Sequence, residues 1–84
     1  MTHDQAHTLL AAALHEIAPD VDLGALDPDA PFQEEADLDS MDFLNIVIFL
    51  HDETGIDIPE ADYPRLATVN GVLEYLESRG ADVA

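Results

Sequence analysis

Asp39-Ser40-Met41-Asp42-Phe43-Leu44-Asn45-Ile46-Val47-Ile48-Phe49-Leu50-His51-Asp52-Glu53-Thr54-Gly55 is the stretch on which the fold turns. A serine stands where an acidic loop gives way to the most apolar helical pattern in the chain. Leu44, Val47, Ile48 and His51 form one stripe at helical spacing, and Phe43, Ile46, Val47 and Leu50 form the stripe beside it. A helix apolar over most of its circumference is either central to a core or offers apolar surface to a partner. This one is expected to run from Ser40 to about Thr54 and to stop at Gly55, which tolerates the left-handed conformation of a helix terminator. Ser40 is expected at the N-cap, where its hydroxyl would accept a free backbone N–H.

Upstream, Thr2-His3-Asp4-Gln5 fits a capping box. Ala6, Leu9, Leu10, Ala13, Leu14 and Ile17 follow at helical spacing until Pro19 ends the pattern. From Pro19 to Asp39 the chain reads as a long loop, broken by Gly24, Pro28 and Pro31. A loop of that length must be functional or pinned. Val21, Leu23, Leu26 and above all Phe32 are the expected pins. Downstream, Ile56 to Pro59 reads as extended, and Pro64 limits Glu60–Arg65 to a short third helix. Thr68 is expected to cap a last helix with Val69, Val72, Leu73 and Leu76 on one face, ended by Gly80. No pair of strands is visible. The expected class is all-α: a four-helix bundle in one domain, residues 1–84, with a long loop between its first two helices and a short third helix.

Composition narrows the function. Nineteen acidic residues face two basic ones in 84 residues, a formal net charge of -17. Such a surface repels nucleic acid and anionic membranes and speeds encounter with basic protein patches. Cysteine is absent, which excludes disulfides, thiolate metal sites and a protein thiol nucleophile. A chain this small has little room for an enclosed catalytic pocket. His3, His7, His15 and His51 do not complete a ligand set with acids, and the aspartates around Asp20 to Gly24 do not complete a calcium loop. No metal and no catalytic residue are expected. With no signal pattern and no apolar run long enough to span a bilayer, a cytoplasmic monomer is the simplest expectation.

Asp39-Ser40-Met41-Asp42 resembles the Asp-Ser-Leu-Asp signature of acyl carrier proteins. Phe32 in the long loop, Ile58-Pro59 after the helix and Thr68-Val69 at the start of the last helix match that family in spacing. The similarity extends from the first helix to about Leu76. It implies that Ser40 receives a 4′-phosphopantetheine arm from coenzyme A through a phosphopantetheinyl transferase, normally Mg²⁺-dependent. The arm's thiol would then carry acyl groups as thioesters, and the chain itself would catalyse nothing.

The resemblance also implies that Asp39, Asp42, Asp52 and Glu60 dock onto basic patches of acyl-loading and acyl-processing enzymes. Met41, Leu44 and Ile48 match apolar docking positions, although Leu44 equally fits a core. Phe32, Ile46, Val47, Leu50 and Leu66 are candidates to line a cleft for the acyl chain. Asp37 and Leu38 stand where the family commonly has a small Gly-Ala pair, Asn45 and His51 where it commonly has acids, and Phe49 and Pro64 also depart from it. Fatty-acid, polyketide and other specialised acyl pathways therefore all stay open. A peptidyl or aminoacyl carrier is the near alternative, against which Asp39 argues. An unmodified acidic helical module binding a basic protein or divalent cations is the distant one.

Overall fold

The computed structural model describes residues 1–80. Helix α1 spans His3–Ile17 and opens on the expected capping box. Thr2 Oγ1 accepts the Gln5 N–H at 3.1 Å, and Gln5 Oε1 accepts the Thr2 N–H at 2.9 Å. Ala6, Leu10, Ala13 and Leu14 are buried, while Leu9 and Ile17 pack at the core's edge.

The long segment after α1 is more ordered than a structureless loop. A 3-10 turn at Leu23–Ala25 is closed by Asp22, whose carboxylate accepts the Gly24 N–H at 3.0 Å. A single-turn helix, α2, spans Phe32–Glu35. Phe32 is 1% exposed and anchors the segment, with Leu23 also buried and Val21 and Leu26 packed against the core. Polar pins absent from the apolar reading complete the attachment. Phe32 N–H donates to Ala67 O at 2.7 Å, Asn70 N–H to Pro28 O at 3.0 Å, and the Asn70 amide to Asp29 at 2.7 Å. These bonds tie the loop to the start of the last helix, where the one isolated β-bridge of the described residues joins Pro31 and Thr68.

Helix α3 spans Ser40–Thr54 and ends on Gly55 at φ 73°. Ile46, Val47 and Leu50 enter the core, and α1 packs against both α3 and α4. The short third helix is a 3-10 segment, Glu60–Leu66, that includes Pro64. Helix α4 is described over Val69–Gly80. Thr68 Oγ1 accepts the Gly71 N–H at 2.9 Å, as expected of its cap. Val69, Val72, Leu73 and Leu76 are buried.

Tyr75, three positions after Val72 and so beside the apolar face named for the last helix, is the largest fully buried side chain of the described residues. Its hydroxyl donates to Asp62 Oδ2 at 2.7 Å. Arg79 donates to the same oxygen at 3.1 Å. Arg65 and Arg79 each lie 5.1 Å from the Tyr75 ring centroid, within cation–π range. The chain's two arginines are thus both engaged in holding the 3-10 segment to α4. Burial, and then the hydrogen bond to Asp62, push the Tyr75 phenol above its ordinary value.

Candidate functional site

Ser40 is the first residue of α3, not its N-cap. That correction matters, because the cap is Asp39, whose carboxylate accepts the Asp42 N–H at 2.8 Å. An aspartate is as good a cap as serine and brings a negative charge to the positive end of the helix dipole. The expected capping role of Ser40 is therefore filled by its neighbour. Among the described residues the Ser40 hydroxyl makes no hydrogen bond, and the residue is exposed.

The turn before it aims the chain at this position. Leu38 N–H donates to Gln33 O at 2.8 Å and Asp37 N–H to Glu34 O at 3.3 Å. That pair of bonds is a Schellman motif closing α2. Its left-handed position is held by Asp37 at φ 53°, the one non-glycine residue with positive φ among those described. Leu38 then turns inward and is buried. A buried Leu38 followed by the Asp39 cap fixes where α3 begins, and hence where Ser40 faces solvent.

A groove of about 450 Å³ opens at Ser40 and is lined by Gln33, Phe43, Leu44, Glu60 and Tyr63. Of these, Leu44 and Glu60 were candidate site residues. Gln33, Phe43 and Tyr63 were not. Phe43 lies one turn from Ser40 in the apolar pattern, so its neighbourhood was readable. Tyr63 reaches the site only through the placement of the 3-10 segment, which no local pattern encodes. A second groove of about 630 Å³ lies further along α3, between it and Ile58-Pro59, and Tyr63 borders it as well.

Of the docking candidates, the three apolar residues share one surface. Met41, Leu44 and Ile48 are 63%, 37% and 48% exposed, the large apolar side chains left outside the core. Their spacing puts them on one face of α3, which Asp52 continues one turn on. For Leu44, open between core and surface in the sequence, the answer is surface. Asp39, Asp52 and Glu60 are exposed and Asp42 is half-buried. The cleft candidates sit deeper. Phe32, Ile46, Leu50 and Leu66 are each 1% exposed within the packed core, and Val47 is the one of the five that lines either of the two grooves along α3. Among the described residues no group of three or more His, Asp or Glu side chains is placed to hold a metal ion. No helix among them is long and apolar enough to cross a membrane.

The family described as "Phosphopantetheine attachment site" matches residues 7–76, from within α1 to within α4. The chain belongs to the acyl carrier protein family. It is 33% identical over 78 residues to an acyl carrier protein of Lactobacillus johnsonii, covering 93% of this chain and 96% of that one. It is likewise 33% identical over 75 residues to an acyl carrier protein of Bdellovibrio bacteriovorus, covering 81% and 96% respectively. A third acyl carrier protein, from Thermosynechococcus vestitus, is 33% identical over 54 residues, or 64% and 67% of the two chains. Acyl carrier proteins are carriers rather than enzymes, and 4′-phosphopantetheine is their prosthetic group. The surroundings of Ser40 fit such an arm. The hydroxyl is exposed and free of internal bonds, and the groove beside it mixes apolar walls with polar groups from Gln33 and Glu60.

Proposed function

We propose that Ser40 is the attachment residue, and that residues 1–84 act as one carrier domain presenting acyl thioesters to partner enzymes. The observation that carries this reading is the division of labour at the start of α3. Asp39 caps the helix, so the Ser40 hydroxyl is exposed and committed to no other bond. In the attachment step the Ser40 Oγ attacks the β-phosphorus of coenzyme A. A new P–O bond forms, the bond to the adenosine bisphosphate breaks, and the serine proton passes to a base of the transferase. The chain's own contribution is to present the hydroxyl on a rigid helix end and to supply the groove beside it.

The stripe of Met41, Leu44 and Ile48 is read as the apolar centre of the partner-docking face, with Asp39, Asp42, Asp52 and Glu60 as its acidic rim. The partners are a phosphopantetheinyl transferase and acyl-loading and acyl-processing enzymes with basic patches. A cytoplasmic carrier serving fatty-acid, polyketide or another specialised acyl pathway fits this surface.

Intact mass after co-expression with a broad-specificity transferase tests the assignment. The wild-type chain gains one phosphopantetheine adduct and the Ser40→Ala variant gains none. An adduct that persists in Ser40→Ala places the arm elsewhere. A wild-type chain that stays unmodified with every transferase returns the molecule to an acidic docking module.

A further inference from the structure

Sulfur is scarce in this chain. With no cysteine and two methionines, its sulfur atoms are the thioethers of Met1 and Met41. The fold treats the two differently. Met1 is partly buried and packs against the core. Met41 is 63% exposed, the most exposed of the large apolar side chains left outside the core. It follows Ser40 directly and opens the stripe that Leu44 and Ile48 continue along α3. A leucine at this position would give the stripe the same apolar character with no reactive atom. Methionine adds a thioether that a peroxide converts to a polar sulfoxide. Asp39 and Asp42 flank it in a chain of formal net charge -17, a field that repels anionic oxidants and leaves neutral peroxides free access.

We propose that Met41 is a reversible oxidation site that sets how well the carrier docks. The proposal rests on Ser40 as the attachment residue and on the stripe beside it as the docking face. In the oxidation the Met41 sulfur attacks one oxygen of hydrogen peroxide. An S–O bond forms, the O–O bond breaks, and the departing hydroxide takes the proton of the transferred oxygen and leaves as water. Sulfur loses two electrons and the peroxide gains them. In the reverse step a methionine sulfoxide reductase consumes a dithiol, which leaves as a disulfide, and the oxygen departs as water. Because Met41 lies outside the core, the added oxygen stays hydrated in the free protein and the fold is unaffected. In a docked complex the same oxygen is buried against apolar surface, and a buried polar group without a partner weakens the complex about tenfold or more.

The test treats the full chain, before any arm thiol is attached, with hydrogen peroxide, removes the peroxide and measures phosphopantetheine transfer. Peptide mass mapping should place the added oxygen on Met41 ahead of Met1, with the thermal midpoint unchanged. Transfer to the oxidised chain should be about tenfold slower or more, chiefly through a raised KM. Both methionine sulfoxide reductases together, one for each sulfoxide epimer, should restore it. Met41→Leu, which retains Met1, should show the same rate before and after peroxide, whatever that rate is. Oxygen gained first at Met1, a thermal midpoint that falls with oxidation, or a Met41→Leu chain slowed as much as wild type would each overturn the switch and leave the Ser40 assignment standing. So would a sulfoxide at Met41 that changes transfer by less than about twofold. An untreated wild-type chain that accepts no arm would overturn the assignment and the switch together.

Discussion

Asp39 accepts the Asp42 N–H at 2.8 Å, and this bond releases Ser40 from the duty that serines before helices commonly perform. The two residues should separate cleanly on mutation. Asp39→Ala should lower unfolding stability by about 1 kcal/mol through loss of the cap. Ser40→Ala should change it by less than about 0.5 kcal/mol, because no internal bond is lost. Chemical denaturation of both variants checks the pair, and a larger loss at Ser40 than at Asp39 would assign the capping role the other way. Asp37 offers a second residue-scale test. At φ 53° it bears the steric cost of the left-handed region, which glycine avoids. Asp37→Gly should raise stability by about 0.5–1 kcal/mol, net of the greater freedom glycine gains when unfolded. The sequence marks Asp37 as a departure where small residues are common, but its positive φ became visible only with the Schellman bonds around it.

At the scale of elements, the contact between the 3-10 segment and α4 shapes the wall of the site. Gly71 lies where α4 crosses that segment, and a Cβ there would overlap the backbone carbonyl oxygen of Arg65. Gly71→Ala must therefore push the two elements apart and should cost about 1–3 kcal/mol, measurable as a lowered thermal midpoint. Because Tyr63 belongs to the displaced segment, the same variant should also loosen the groove at Ser40. The helices themselves were legible from periodicity and caps. The capping box at Thr2, the Gly55 terminator and the Thr68 cap all sit where local rules put them. The long loop was less so. Its bonds to Ala67 and Asn70 join residues more than thirty positions apart in sequence, which no local rule connects.

Across the whole molecule, charge is distributed unevenly between structure and surface. With Arg65 and Arg79 both drawn onto Tyr75, most of the acidic residues have no basic residue of the chain beside them. If Asp42, Asp52 and Glu60 steer partner encounter, phosphopantetheine transfer should slow several-fold as ionic strength rises from about 0.05 M to about 0.5 M, chiefly through the association rate. A rate indifferent to salt would shift the weight to Met41, Leu44 and Ile48. The clamp itself sets an alkaline limit to stability. The folded state holds the Tyr75 proton more tightly than the unfolded chain, whose phenol releases it near 10.0. The stability this contributes is full below that pH and is lost as pH rises through the higher, folded-state value. Melts of wild type and Tyr75→Phe between about pH 8 and about pH 11 should show a decline in the former that the latter lacks.

The sequence by itself determined the three long helices, the capping box that opens α1, the glycine that ends α3, the acidic surface and the family signature around Ser40, because each depends on residues within a few positions of one another or on composition alone. Periodicity also marked α3 as apolar nearly all round, without deciding which side faces inward. Tertiary structure decided that Ile46, Val47 and Leu50 go to the core and that Met41, Leu44 and Ile48 stay outside, since only the position of α1 relative to α3 makes one side of the helix an interior. It also brought Tyr63 across from the 3-10 segment to Phe43, some twenty positions away in sequence, and gave the groove at Ser40 its far wall. Such a contact is set by how elements pack, and packing depends on the shapes of side chains that meet only in the folded molecule.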